Sequence, residues 1–204
     1  MMERMIYLHG LGQDASAWKE TAACVNGGGE FPDLAKLCEG EVVCWQVLSR
    51  RFEEYCRAED GKMVLCGLSL GGILAMEYAI KHPDRVEKLI LAGVQYRMPT
   101  RLLGFQNFLF RLMPESAFPG GGFGKKEFIS LTKSMADLDY TDELKKIECP
   151  VLVICGAKDN ANKQACAEIA EMLPDGRLCV IDGAGYELNC SHPKELAEAI
   201  RRFL

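Results

Sequence analysis

The sequence predicts an α/β chain: a doubly wound, mainly parallel sheet with flanking helices and a small helical cap. Three observations carry this expectation. Short apolar runs of strand length alternate with helical patterns towards both ends of the chain. A Gly67-Leu68-Ser69-Leu70-Gly71 segment stands between one such run and a helix. Residues 93–147 break the alternation with a stretch that shows no strand pattern.

The elements follow in order. Met5-Ile6-Tyr7-Leu8 reads as a strand ending in the turn His9-Gly10-Leu11-Gly12. Residues 15–24 read as a helix, with Asp14 or Ser16 as its cap. Asn26-Gly27-Gly28-Gly29 is a turn, and Glu30-Phe31 a remnant strand stopped by Pro32. Across residues 43–57 Val43, Val47, Leu48, Phe52, Tyr55 and Cys56 recur at helical spacings, which predicts a helix; a strand over 41–48 is the rival. Residues 63–66 form a strand and 72–81 a helix, broken by His82-Pro83-Asp84 before a strand at 86–92. Pro150 introduces a strand at 151–155, and Gly156-Ala157-Lys158-Asp159 is the loop at its carboxyl end. A helix at 163–173, a last strand at 177–181, the loop Gly183-Ala184-Gly185-Tyr186-Glu187 and a final helix opened by Pro193 complete the chain.

A Gly-x-Ser-x-Gly between strand and helix is a nucleophile elbow. The turn is so tight that Ser69 must adopt a strained backbone, and its neighbours two residues away must be small. Ser69 is thereby presented at a helix N-terminus, where developing negative charge is favoured. The glycine-bracketed loop after the first strand supplies a second feature of acyl transfer. The amides of Leu11 and Leu70 would point at a substrate oxygen as an oxyanion hole. His9 reads as a scaffold residue of that loop and His82 as a helix-terminus residue, and Glu53, Glu54 and Glu59 as a solvated face.

Residues 93–147 hold Phe105, Phe108, Phe110, Phe118, Phe123 and Phe128, with breaks at Pro114 and Pro119. They read as two or three amphipathic helices inserted between strands, suited to roof an apolar pocket. Met98, Phe105, Phe108 and Phe123 are the candidate lining, with Gln95 and Tyr96 near the pocket floor. The expected organisation is one domain over 1–204 with a cap insertion at about 95–147.

Composition excludes other classes. A net charge of −5 without a long basic cluster argues against nucleic acid. The longest uncharged run, 63–76, is too short to span a bilayer, and the first residues lack a signal-peptide core, so no membrane partner is expected. The ten cysteines include no C-x-x-C pair; they read as reduced, mostly buried residues of a cytoplasmic protein. No metal and no cofactor are expected.

With these residues placed, the chain resembles the α/β-hydrolase family over nearly its whole length. The resemblance rests on His9-Gly10-Leu11-Gly12, on Gly67 to Gly71, and on His82-Pro83-Asp84-Arg85-Val86 with Leu89-Ile90-Leu91. Pro150 to Gly156 with Asp159, and His192-Pro193-Lys194-Glu195, complete it. It implies the order nucleophile, acid, base, with Ser69 as nucleophile, Asp159 as acid and the insertion as cap. Because the chain begins on the strand before the oxyanion loop, a compact version without the antiparallel hairpin of larger members is expected. One departure stands out. The family's Gly-x-Gly loop ends in the catalytic histidine, and here Tyr186 follows Gly183-Ala184-Gly185. The chain has three histidines, and His192, six residues on, reads as a helix-terminus residue.

The resemblance implies a serine hydrolase of small apolar carboxylic esters, slowed by the missing imidazole. The alternatives are a ligand-binding protein that kept the fold, or a natural or engineered His-to-Tyr variant of an active esterase. With no histidine to serve, Asp159 is expected to accept the Tyr186 phenol hydrogen bond, directly or through one water.

Overall fold

The computed structural model describes residues 4–25, 28–98 and 122–204. Five parallel strands, β1 (Arg4–Leu8), β2 (Met63–Leu68), β3 (Val86–Ala92), β4 (Val151–Gly156) and β5 (Gly176–Ile181), lie side by side in chain order. The register runs Leu8 against Gly67, Leu68 against Ala92, Ala92 against Ile154 and Gly156 against Ile181. All carboxyl ends therefore reach one edge, where ligands of open parallel sheets bind.

Strands β1 to β4 are largely buried and their side chains alternate between two apolar layers, whereas β5 at the edge leaves Leu178 and Val180 exposed. Ile6, Leu8, Leu65, Leu89, Leu91 and Val153 pack with α3 (Trp45–Arg57), α4 (Leu70–Lys81) and α6 (Lys163–Met172). Met5, Tyr7, Cys66, Ile90 and Ile154 pack on the opposite face with α1 (Lys19–Val25) and α8 (Pro193–Phe203). Helices on both faces make the sheet doubly wound, as the alternation of patterns predicts.

Local chemistry sets several boundaries differently from the sequence reading. The segment after Asp14 is a 3₁₀ turn over Ala15–Trp18 and then α1, and Asp14 caps it by accepting from the Ser16 amide. The helix of residues 43–57 forms from Trp45 and the rival strand does not. Glu30 makes an isolated parallel bridge with Ile6. A short helix α2 (Leu34–Leu37), capped by the Asp33 carboxylate, is an addition, as is α7 (Leu188–Ser191). The elbow helix starts at Leu70, two residues early, because the serine itself is its cap position. Within the insertion, α5 (Lys125–Ser134) is the described α-helix, and Arg97 bridges antiparallel to Asp139. The part of the expected helical insertion that falls in 99–121, with Phe105 and Phe108, lies outside the described residues. Among the described residues no helix is long and apolar enough to cross a membrane. All ten cysteines are free, and six are buried.

Candidate active site

The site is built outward from the elbow. Ser69 has φ 52° and ψ −114°, the only positive φ of a described non-glycine residue. That strain is held by close packing. A Cβ on Gly67 would lie 2.4 Å from the Gly71 backbone, and one on Gly71 2.3 Å from the Leu8 carbonyl oxygen. The Ser69 amide donates to the Ala92 carbonyl at 2.9 Å, which fixes the turn against β3. Leu70, the first residue of α4, has an amide without an intrahelical acceptor.

The loop after β1 faces the elbow. His9 is fully buried; its Nε2 accepts from the Leu34 amide at 3.1 Å and its Nδ1 meets the Gly10 carbonyl at 2.9 Å. An amide donor on Nε2 puts the proton on Nδ1, and burial holds the ring's pKa below its usual value despite the Gly10 bond. The Gly10 amide donates to Gln13 Oε1 at 3.1 Å. Gln13 in turn exchanges two side-chain hydrogen bonds with Asn189, at 3.1 and 3.0 Å. This amide pair ties the loop after β1 to α7, just beyond Tyr186, and neither Gln13 nor Asn189 was singled out in the sequence.

Tyr186 comes from the loop after β5, and its phenol donates a hydrogen bond to the Ser69 hydroxyl. The expected bond from Tyr186 to Asp159 is replaced by this one. The reason is reach: a phenol carries its polar atom farther from the backbone than an imidazole and has no N–H on its flank. The ring edge and Asp159 Oδ2 instead border Gly93, where a Cβ would lie 3.3 Å from Tyr186 Cδ2 and 3.5 Å from Asp159 Oδ2. Asp159, buried at the carboxyl end of β4, accepts from Asn162 Nδ2 at 3.1 and 2.8 Å and from the Asn162 amide at 3.2 Å. Tyr186 is 40% exposed as a whole, yet desolvation around its hydroxyl raises the phenol pKa. The Ser69 bond opposes that rise, while the charges of Asp159 and Glu187 add to it.

The other two histidines are engaged elsewhere. His192 lies beside Ser191 Oγ at 3.0 Å, and His82 faces Glu53 at 3.5 Å.

A cavity of about 460 Å³ opens beside Ser69. Leu11, Leu70, Ile73, Met98, Phe128 and Met135 form its apolar wall, and Gln95, Asn162, Thr132 and Tyr186 its polar one. Gln95 and Met98 thus line it. Tyr96 and Phe123 do not: the Tyr96 phenol donates to Glu168 at 2.7 Å, and Phe123 is 1% exposed in the core. Phe128, Thr132 and Met135 were missed. Their spacing of four and three residues puts them on one helix face, a periodicity the sequence does contain. A larger, more open hollow of about 680 Å³ is lined by Asp14, Asp33, Glu39, Glu41 and Glu127 and holds none of the elbow residues. Among the described residues no group of three or more His, Cys, Asp or Glu is placed to hold a metal.

A strained serine at a strand–helix elbow, at the carboxyl edge of a parallel sheet, defines the α/β-hydrolase class, and the chain belongs to the alpha/beta hydrolase family, whose model matches residues 5–199. Among characterised relatives it is similar to a pimeloyl-[acyl-carrier protein] methyl ester esterase of Aromatoleum aromaticum. The two are 27% identical over 179 residues, 67% of this chain and 72% of that protein. Its fold resembles a thermophilic esterase from Thermogutta terrifontis, with a TM-score of 0.80 and 24% identity over 98% of this chain and 89% of that one. It also resembles an enol-lactonase from Burkholderia xenovorans LB400, with a TM-score of 0.82 and 18% identity over 98% and 90%.

Proposed function

We propose that the protein is a serine hydrolase of small apolar carboxylic esters, working slowly by acyl transfer. The observation that carries this reading is the Ser69 hydroxyl, held on a strained elbow and open to a largely apolar cavity that Leu11 and Leu70 also line. Ser69 is the nucleophile, the Leu11 and Leu70 amides are the oxyanion hole, and Asp159 is the acid of a triad whose base position Tyr186 fills. The chain acts as one domain, 1–204, with the insertion at about 95–147 as its cap. Among its relatives, the Aromatoleum protein is an esterase by name, which supports ester chemistry. Ten unpaired thiols fit a reducing compartment and favour a cytoplasmic location.

The Tyr186 contact with Ser69 also favours a second reading, a ligand-binding protein that kept the pocket and lost turnover. A His-to-Tyr variant of an active esterase is the third; Tyr and His codons differ by one base. Fluorophosphonate labelling separates the enzyme from the binder. Labelling confined to Ser69, faster than that of a free serine and abolished in Ser69→Ala, supports the hydrolase. An unlabelled but folded protein overturns it in favour of binding.

A further inference from the structure

We propose that Gln95 is a specificity-determining acceptor, and that the preferred ligand is an uncharged ester bearing an O–H or N–H donor. The inference rests on reading the Ser69 cavity as a ligand site. It begins at Asp159, whose two side-chain oxygens both act as acceptors. Asn162 Nδ2 donates to both of its oxygens, at 3.1 and 2.8 Å, so the amide of Asn162 can face only one way. Its Oδ1 is thereby turned to Gln95, whose Nε2 donates to it at 2.9 Å. The same Nε2 donates to the Ala161 carbonyl at 2.9 Å. Both N–H groups of the Gln95 amide are then used, and its orientation is set by two acceptors. What remains of the side chain for a ligand is Oε1, an acceptor to which no described residue donates, on a residue that lines the cavity.

Among the described residues the rest of the wall does not supply the missing donor. The Tyr186 phenol is engaged with Ser69, and Thr132 Oγ1 meets the Phe128 carbonyl at 2.8 Å. Among the described residues no lysine or arginine lines the cavity, so there a carboxylate ligand finds no counter-charge beside the Asp159–Asn162–Gln95 chain. A ligand hydroxyl or amide N–H matches Oε1; an ether oxygen of similar size at the same place sets acceptor against acceptor and leaves Gln95 unpaired.

Protein carrying Ser69→Ala with Tyr186→Phe, which removes turnover and leaves no freed phenol in the cavity, allows the test as equilibrium binding by ligand-observed NMR. The probes are methyl 2- and 3-hydroxybutanoate, each beside its O-methyl ether, and methyl butanoate. One of the hydroxy esters is expected to bind about fivefold more tightly than its ether, a typical net value for one hydrogen bond. The preference should vanish in Gln95→Met, which keeps the length and loses the acceptor. Should that variant fold poorly, the comparison of hydroxy ester with ether in the Gln95 protein decides alone. Equal affinities of alcohols and ethers, with all of them binding, overturn the role of Gln95 and leave the cavity a ligand site. Failure of every ester to bind overturns the cavity reading, and the proposal with it.

Discussion

At the scale of the residue, turnover depends on what a phenol does where an imidazole is expected. Neutral Tyr186 donates to the Ser69 oxygen, whereas attack requires that this oxygen lose its own proton. Even with an unperturbed pKa, roughly one phenol in a thousand would be ionised at pH 7, and desolvation at this site raises the pKa further. Residual ester hydrolysis by the natural chain should therefore climb with pH without a plateau near neutrality, which a pH–rate profile under stable conditions checks. A plateau near pH 7 would point to another base, with His192 the first candidate. His9 gives a second titration. Its folded pKa lies below its unfolded value, so the unfolded chain binds the extra proton first. The His9 contribution to stability is complete at neutral pH and declines as pH falls below about 6.5. Urea titrations from pH 8 to pH 5 should show a steeper acid loss in the natural chain than in His9→Gln.

At the scale of the element, three packed contacts hold the site. The elbow needs Gly71, because an added Cβ would meet the Leu8 carbonyl at 2.3 Å, and backbone there cannot give way. Gly71→Ala should cost about 1–3 kcal/mol or more of stability, read as a fall in denaturation midpoint. The second contact is the Gln13–Asn189 pair. Gln13→Ala leaves the Gly10 amide and buried Asn189 without their partner, and should slow fluorophosphonate labelling while costing about 1–3 kcal/mol. The third joins α3, α4 and the chain beyond α5. The buried Glu77 carboxylate accepts from Trp45 Nε1 and Lys81 Nζ, each at 2.6 Å, and from the Ser49 and Tyr140 hydroxyls. Burial alone would raise its pKa, but the bonds from Lys81, Ser49 and Tyr140 bring it below the usual carboxylate value. The stability it contributes is present above the unfolded carboxylate pKa and is lost as pH falls through the folded one. Glu77→Ala should cost about 3 kcal/mol, because several buried donors lose their acceptor at once.

At the scale of the whole molecule, what was legible follows the period of the side chains. Strands buried on both faces announce themselves as apolar runs, and the elbow as glycines forced by close approach, so the sheet and Ser69 could be placed without coordinates. Asp159 and Tyr186 were legible by position in their loops, but not their partners. A bond between Tyr186 and Ser69 depends on side-chain reach, which spacing does not encode. The cavity wall was half legible. Gln95 follows from its place past a strand end and Met98 from the apolar character of the insertion, whereas Phe123 and Phe128 are equally aromatic and only packing sends one into the core and the other over the loop after β1. A Cβ on Gly12 of that loop would lie 3.9 Å from Phe128 Cε2.

The substitution Tyr186→His tests the central claim most directly, through kcat/KM for a short-chain aryl ester at pH 7. Loss of the histidine from a serine triad can cost about 10⁶-fold in turnover, with roughly 10³-fold over water retained by the remaining site. If Ser69, Asp159 and the loop after β1 act as proposed, Tyr186→His should raise activity by orders of magnitude, and adding Ser69→Ala should remove the gain. A folded Tyr186→His protein no faster than its parent would contradict the account.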